Sequence, residues 1–86
     1  MDDETLKTYG YVISSSYRER SVRSLNESNK IPTHLAEDIG IRSNHISKVL
    51  KELKECGVAE CVDESKRKNR YYRLTKKGQD IADYMD

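Results

Sequence analysis

Seven polar or basic side chains near the start of one predicted helix could hydrogen-bond the edges of nucleic-acid bases. They are Arg42, Ser43, Asn44, His45, Ser47, Lys48 and Lys51. Arginine or lysine can bond O6 and N7 of guanine, and asparagine can bond N6 and N7 of adenine; each good pair discriminates by about 1–3 kcal/mol. Arg42, Asn44 and Lys48 are the candidates for this chemistry. The alternative for Lys48 and Lys51 is an ordinary solvated helix face.

A second set of cations lies between two predicted strands. Residues 65–77 contain seven basic residues and no acidic one, and the run begins with Lys66, Arg67, Lys68 and Arg70. Such a run predicts a localised positive surface, suited to phosphates or to a narrow minor groove. A charge run can also be no more than a solvated surface. The position of this run relative to the other elements therefore decides its meaning.

Two cysteines, Cys56 and Cys61, and two histidines, His34 and His45, raise the question of a metal or redox site. Two cysteines do not make a disulfide framework, and a reducing compartment would keep both as thiols. We interpret them as buried thiols, with metal or redox sensing as the alternative. We expect no metal and no cofactor.

The patterns that catalysis requires are missing. The chain shows no Ser-His-Asp or Cys-His arrangement, and its 86 residues, of which 35% are hydrophobic, leave little room for a deep pocket. All four glycines, at 10, 40, 57 and 78, fall near expected element edges, so none is expected to build a phosphate-binding loop. We therefore expect that the chain is not an enzyme.

The formal net charge of +1 hides an uneven distribution. Six of the fifteen acidic residues lie in residues 1–4 and 80–86, and residues 5–79 hold all 16 basic residues and nine acidic ones, a net charge of +7. No apolar run approaches the roughly 18 residues needed to span a bilayer, and the acidic start is unlike a signal peptide. We expect a soluble, cytoplasmic chain.

The first half of the chain predicts helices that could carry these residues. Residues 5–27 have apolar residues at helical spacing, interrupted by three serines at 14–16, so either one helix or two fits. Pro32 suits the first turn of a second element, and Gly40 suits its end, because glycine adopts a positive φ without steric cost. Ile31 occupies the N-cap position of this element, where Ser or Thr is usual. Arg42 occupies the same position before the next helix.

The clearest periodicity follows. Ile46, Val49, Leu50 and Leu53 form one apolar stripe of a helix from about 43 to 56 that Gly57 ends. Residues 58–62 and 70–74 have strand-like patterns, with a polar, basic loop at 63–69 between them, which predicts a hairpin. Thr75 can cap a last helix that extends to about residue 85.

A tight helix-turn-helix fits the spacing of Ala36, Gly40 and Ile46. Two helices that cross steeply need a small residue at the crossing and a flexible residue in the turn. The segments 35–41 (LAEDIGI), 46–53 (ISKVLKEL), 57–58 (GV) and 71–78 (YYRLTKKG), with Tyr-Arg-Glu-Arg at 17–20, resemble the winged helix-turn-helix of MarR/ArsR-like prokaryotic regulators. The resemblance covers roughly residues 12–82.

The resemblance implies a mostly helical α+β fold with a three-helix core, a β-hairpin wing and a C-terminal helix. We expect one domain over residues 1–86, with an acidic tip at 1–4, the helix-turn-helix at about 32–56, the wing at about 58–74 and the last helix at about 75–85. The family is one of transcriptional regulators that bind double-stranded DNA. Its recognition helix, here residues 43–56, would enter the major groove, and the basic wing, here 63–70, would contact the backbone or minor groove.

Two further expectations concern partners. A homodimer through the first and last helices would use apolar residues that otherwise close the monomer core, namely Leu6, Tyr9, Ile13, Ile81, Tyr84 and Met85. In the family that the sequence resembles, an apolar residue is common at the position of Ser21, on the core face of the first helix. A serine there would loosen that contact or admit a partner. The alternative function is a winged-helix module for protein–protein interaction without specific DNA binding.

Overall fold

The computed structural model describes residues 1–68 and 70–85, so Asn69 of the predicted loop and the acidic Asp86 lie outside the described residues. The described chain forms five α-helices and a two-stranded antiparallel hairpin, in the order α1, α2, α3, α4, β1, β2, α5. This is the mostly helical α+β architecture that the sequence predicts. None of these helices combines the length and apolar content needed to cross a bilayer.

The serine run separates two helices, α1 (Asp3–Ile13) and α2 (Ser16–Glu27). Asp2 caps α1 by accepting a hydrogen bond from the Thr5 N–H at 2.8 Å. Ser15 caps α2 by accepting one from the Arg18 N–H at 3.3 Å. The serines therefore both end one helix and begin the next, because a Ser hydroxyl satisfies a backbone N–H that a first helical turn leaves unpaired.

The helix-turn-helix consists of α3 (Pro32–Ile39) and α4 (Ser43–Glu55), joined by a three-residue turn. Gly40 has a φ of 77°, in the left-handed region, and its N–H donates to the Ala36 carbonyl at 2.9 Å. Ile46 and Val49 of α4 are buried, together with Ala36. As predicted, neither α3 nor α4 has a side-chain cap, since Ile31 and Arg42 occupy the two capping positions.

The wing hairpin consists of β1 (Ala59–Cys61) and β2 (Tyr72–Leu74), each shorter than the predicted strand. The register pairs Ala59 with Leu74 and Cys61 with Tyr72. Tyr72 also forms an antiparallel bridge to Lys30, with N···O distances of 3.1 and 2.8 Å. The segment before α3 thus acts as a third, one-residue strand that fixes the wing against the helix-turn-helix.

The last helix, α5 (Lys76–Met85), lies close to Val58, the residue before β1. Thr75 caps it as predicted, accepting a hydrogen bond from the Gly78 N–H at 3.1 Å, and its own hydroxyl donates to the Gly57 carbonyl. Gly78 is buried, and a Cβ there would collide with the Val58 carbonyl oxygen. Gly78 is the third residue of α5 and Gly10 lies in the last turn of α1, so both are near helix ends as predicted, although they lie within the helices.

All five helices and β1 contribute to one apolar core. It contains Val12, Val22, Leu25, Leu35, Ala36, Ile39, Ile46, Val49, Leu50, Leu53, Val58, Ala59, Ile81 and Ala82. Ser21 is also fully buried, and its hydroxyl has no hydrogen-bond partner among the described residues. An unpaired buried hydroxyl destabilises the folded state, so Ser21 is a local defect in this core.

Candidate nucleic-acid interface

The polar face of α4 points outward from the core. Ile46, Val49, Leu50 and Leu53 are buried, whereas every predicted base-contacting residue is exposed. These exposed residues are Arg42, Ser43, Asn44, His45, Ser47, Lys48 and Lys51. A single helix thus has one face fixed by packing and another available to a partner, which is the arrangement of an amphipathic surface helix.

Most of these side chains have no hydrogen-bond or ion-pair partner in the part of the chain that the structure describes. Among the described residues, the side chains of Arg42, Asn44, Lys48 and Lys51 make no hydrogen bond or ion pair. His45 differs, because its ring lies 6.3 Å from the Tyr17 ring of α2, centroid to centroid. The donors on the first turns of α4 are therefore free to bond an external acceptor without breaking an internal contact.

A turn at Asp63 orders the start of the wing loop. The Asp63 carboxylate accepts hydrogen bonds from the Ser65 N–H at 3.1 Å and from the Ser65 hydroxyl at 2.6 Å. These bonds favour the ionised carboxylate and hold the pKa of Asp63 below its ordinary value. The motif is an Asx-turn, which fixes where the following cations begin.

The wing tip, residues 63–70, presents its cations to solvent. Lys66, Arg67 and Lys68 are exposed, and none of them has a side-chain hydrogen bond or ion pair in the part of the chain that the structure describes. Arg70 is half-buried, and its Nε donates to the Lys66 carbonyl. The wing-tip part of the charge run therefore contains three cations without a side-chain partner among the described residues and one, Arg70, that helps to close the loop.

Two adjoining grooves connect α4 with the wing. One, of about 360 Å³, is lined from α4 by Ser47, Lys51 and Lys54; the other, of about 350 Å³, is lined from the wing by Arg67, Lys68 and Arg70. Pro32 and Tyr72 line both grooves, and Thr33 at the start of α3 lines the second. We call the two together the basic groove. Lys51 from the first set of cations and Arg67, Lys68 and Arg70 from the second thus border adjoining grooves, of which the first is also lined by the acidic Glu55.

Lys54, Thr33 and Tyr72 are members of this surface that the sequence did not indicate. Lys54 forms an ion pair with Glu64 at 3.1 Å, which ties α4 to the wing and raises the pKa of Lys54. Tyr72 reaches the groove because its backbone pairs with Lys30. Local sequence patterns could not predict the Lys54–Glu64 pair or the Lys30–Tyr72 bridge, because the two residues of each pair lie far apart in the sequence.

The start of α4 also has a neighbour on α2. The Arg20 guanidinium lies 5.4 Å from the Tyr17 ring centroid, and its Nη1 donates to the Ile39 carbonyl at 2.7 Å. This bond satisfies a carbonyl in the last turn of α3 that the helix leaves unpaired. Arg20 thus supports the turn between α3 and α4, a role that the sequence did not suggest.

The cysteines are less buried than predicted. Cys56 and Cys61 are both half-buried free thiols, Cys56 at the end of α4 and Cys61 on β1. Partial burial raises the pKa of the Cys56 thiol, which favours its protonated, less reactive form. No group of three or more His, Cys, Asp or Glu side chains among the described residues is placed to hold a metal ion.

The α1–α5 surface lies apart from the basic groove. Leu6, Ile13 and Tyr84 are exposed, and Tyr9 contacts Tyr84 edge-to-face with ring centroids 4.8 Å apart. Tyr9 and Met85 are partly buried against the core. Ile81 is fully buried and belongs to the core of the monomer, so it is not available to a partner.

Comparison with known proteins gives a structural likeness. No protein-family model matches the sequence, and no curated protein does. The transcriptional repressor BigR from Xylella fastidiosa superposes with a TM-score of 0.74 at 28% identity, over 88% of this chain and 78% of BigR. A second similar structure is the homodimeric winged helix-turn-helix DNA-binding domain of Mb0332 from Mycobacterium bovis, a possible ArsR-family regulator. It superposes with a TM-score of 0.73 at 20% identity, over 98% of this chain and 80% of the Mb0332 domain.

A third structure shows how the lengths differ. The adhesin competence repressor from Streptococcus pyogenes gives a TM-score of 0.73 at 21% identity, over 81% of this chain and 53% of its own, so the chain spans about half the length of that repressor. The MarR-family regulator SPO1453 from Silicibacter pomeroyi gives 0.75 at 14% identity. These proteins are transcriptional regulators rather than enzymes, in agreement with the expectation from the sequence. The chain has the winged helix-turn-helix fold that MarR-family and ArsR-family regulators share.

Proposed function

We propose that the chain is a transcriptional regulator that binds double-stranded DNA at specific sequences. In this proposal α4 is the recognition helix and lies in the major groove, and the wing tip contacts the backbone or the minor groove. The observation that carries the proposal is the basic groove, because Lys51 of α4 and the wing-tip cations Arg67 and Lys68 border it. Asn44 and Lys48 precede Lys51 by seven and three residues on one exposed face of α4. The likeness to BigR, a repressor, supports the same conclusion.

The physical division of work follows from the residue types. Side chains such as Asn44 and Lys48 can distinguish base edges, whereas Lys66, Arg67 and Lys68 can neutralise phosphates regardless of sequence. The major groove of B-DNA admits an α-helix, but the deep, narrow major groove of A-form RNA does not. We therefore infer duplex DNA rather than duplex RNA as the ligand.

Selection of bound duplexes from random DNA at two salt concentrations tests this function. An enriched sequence motif retained at both concentrations is the expected result. If six to eight phosphates are neutralised, log K should fall with log salt with a slope of about −5 to −7, from about −0.9 per phosphate. Failure to retain any duplex at low salt would overturn DNA binding and favour the protein-interaction alternative.

A homodimer through α1 and α5 is the second part of the proposal. The exposed Leu6, Ile13 and Tyr84 support it, because these apolar side chains are 41–56% accessible on neighbouring helices. The Mb0332 domain, which has the same fold, is a homodimer. A two-fold dimer would read a pseudo-palindrome with half-sites about one helical turn apart.

Sedimentation measures this association directly. The wild-type chain should sediment as a dimer at micromolar concentration, and Leu6→Asp should shift it to the monomer of 10.0 kDa. Val62→Asp is the matched control, because Val62 is equally exposed but lies on the wing. A wild-type monomer at all concentrations, or equal effects of the two variants, would contradict this interface.

The remaining parts of the proposal follow from DNA binding. Residues 1–86 act as one winged-helix domain, and the chain works in the cytoplasm, where it would reach prokaryotic chromosomal DNA. Fractionation of cells that express the tagged chain would test the location. Recovery with the membrane or outside the cell would contradict it.

A further inference from the structure

Arg18 on α2 joins the end of α1 to the recognition helix. Its Nε and Nη2 donate to the Tyr11 carbonyl at 2.9 and 2.8 Å, and Nη2 also donates to the Ser14 hydroxyl at 3.0 Å. Its Nη1 donates to Glu52 of α4 at 3.2 Å. The guanidinium lies 3.8 Å from the Tyr11 ring centroid, and the side chain is only 12% exposed. We call Arg18, Tyr11, Ser14 and Glu52 the Arg18 clamp.

The clamp is a polar connection between α4 and the first two helices. The Arg18–Glu52 bond crosses from α2 to α4, and the bonds of Arg18 to Tyr11 and Ser14 reach the end of α1. Just Ser14 and Ser15 separate α1 from α2. One side chain therefore contacts the last turn of α1, the junction after it and the recognition helix at once.

The angle of α1 matters because the helix is a lever. Its 11 residues span about 16 Å, so a tilt of about 10° at the clamp would move the far end by about 3 Å. Val12 is the fully buried residue of α1 and lies near the clamp end. Beyond Val12, α1 contacts α5 through the Tyr9–Tyr84 ring pair, with centroids 4.8 Å apart. It also contacts α5 through the Glu4–Lys77 ion pair at 3.7 Å, which is a weak restraint because the Glu4 side chain is 85% exposed.

We propose that Arg18 is a positioning residue that sets the angle between α1 and α4, and thereby the half-site spacing that the protein accepts. The inference rests on the proposed DNA-binding dimer, in which α1 contributes to the interface. In such a dimer the angle of α1 determines how far apart the two copies of α4 lie. A two-fold dimer fits half-sites only at the separation of its recognition helices.

Arginine suits this role for a geometric reason. Its planar guanidinium has five donors in a fixed fork and can stack on an aromatic ring while it bonds oxygens at its edge. Lysine keeps the positive charge but presents one flexible ammonium group. Arg18→Lys therefore removes the fork and the stacking on Tyr11 and leaves the net charge of the chain unchanged.

The first experiment measures the angle without DNA. Spin labels at Asp3→Cys on α1 and Ser47→Cys on α4, with Cys56→Ser and Cys61→Ser, report the distance between the two helices. Labelled protein diluted with unlabelled protein removes distances between copies. Arg18→Lys and Glu52→Gln should each broaden the distance distribution about twofold. Arg73→Lys is the matched control, since Arg73 pairs with Glu60 within the wing at 2.9 Å.

The second experiment measures spacing on DNA. Duplexes with the selected half-site repeated at separations that differ by single base pairs are compared with a duplex that has one half-site. Arg18→Lys should bind the single half-site within twofold of wild type. The affinity loss for one added or removed base pair should fall from about tenfold to about twofold.

The outcomes separate the inference from the function beneath it. A distance distribution and a spacing preference that both stay at wild-type values in folded Arg18→Lys would overturn the positioning role. A variant that loses half-site and full-site binding equally would also overturn it, because that result is general destabilisation. If wild type binds no duplex, the proposed function fails, and the width of the distance distribution still reports whether Arg18 fixes the angle of α1.

Discussion

The basic groove and helix α5 differ in whether their cations are paired with acidic residues. Around α5, Lys76 lies 3.8 Å from Asp80 and Lys77 lies 3.7 Å from Glu4, so its cations have acidic partners within the chain. In the groove, Lys51, Arg67, Lys68 and Arg70 have no acidic partner among the described residues, and neither do Lys48 on the same face of α4 and Lys66 of the wing tip. Lys54 is the exception, since it pairs with Glu64.

This difference indicates which surface is better suited to bind a polyanion such as DNA. A cation paired within the chain contributes little to an external partner, whereas an unpaired one can release counterions when it meets a phosphate. Substitutions around the groove should therefore change DNA binding without changing stability. Substitutions at the buried contacts of α5 and α2 should change stability, with no change in sequence preference.

The largest expected effect concerns the contact between α5 and Val58, the residue before β1. Gly78→Ala should destabilise the fold by about 3 kcal/mol or more, because the new Cβ would meet the Val58 carbonyl oxygen and neither backbone can easily move. Thermal or urea unfolding measures the loss. Gly10→Ala is the control: nothing lies near Gly10 in α1, so this change should stabilise by about 0.5–1 kcal/mol. Equal behaviour of the two variants would contradict the close approach.

The wing tip should have the next largest effect, on affinity alone. Replacing Lys66, Arg67 and Lys68 with Ala should weaken binding to all duplexes about ten- to hundredfold at low salt and make the salt slope shallower by about 2.7. Fluorescence anisotropy at several salt concentrations measures both quantities. The charge-matched control replaces Lys7, Lys76 and Lys77. A loss confined to one DNA sequence would show that the wing tip reads bases.

Asn44 on α4 should affect sequence choice. Asn44→Ala should cost about 1–3 kcal/mol on the preferred site and relax the preference at one base pair, because a bidentate contact to a base is lost. Repeated selection from random duplexes measures the change in preference. Lys7→Ala on α1 should leave the preferred sequence unaltered. A uniform loss across all sequences in Asn44→Ala would assign Asn44 to the backbone instead.

The smallest expected effect is a gain in stability at Ser21. Ser21→Ala should stabilise the fold by about 1 kcal/mol, since it removes a buried hydroxyl with no partner among the described residues. Ser24→Ala is the matched control on the same helix. Its hydroxyl donates to Asp38, so its removal should destabilise. Urea unfolding of both variants measures the difference, and a destabilised Ser21→Ala would show that the hydroxyl has a partner.

Local patterns predicted most of the elements because their causes are local. Pro32 and Gly40 bound α3, and the apolar stripe of α4 follows from a spacing of three and four residues. The strands are shorter than predicted, but hairpin backbone bonds continue beyond them, from the Val62 N–H to the Tyr71 carbonyl and from the Thr75 N–H to the Val58 carbonyl. The serine run left one helix or two open, since capping depends on which hydroxyl meets which N–H.

The candidate site divides in the same way. The sequence identified the exposed face of α4 and the basic run, because each depends on residue type and on helical or strand periodicity. It did not identify Lys54, Tyr72 or Arg20, whose roles depend on Glu64, Lys30 and Ile39. Those partners lie 10 to 42 residues away, beyond any periodic signal.

By itself, the sequence determined that the chain builds a helix-turn-helix, a charged hairpin and a final helix, since each is specified within a few neighbouring residues. The tertiary structure decided that cations from two distant segments border adjoining grooves, that Gly78 must lack a side chain, and that Arg18 joins α1 to α4. These features depend on pairs far apart in sequence, such as Arg18 and Glu52. Packing of the common core brings such pairs together, and local spacing carries no information about them.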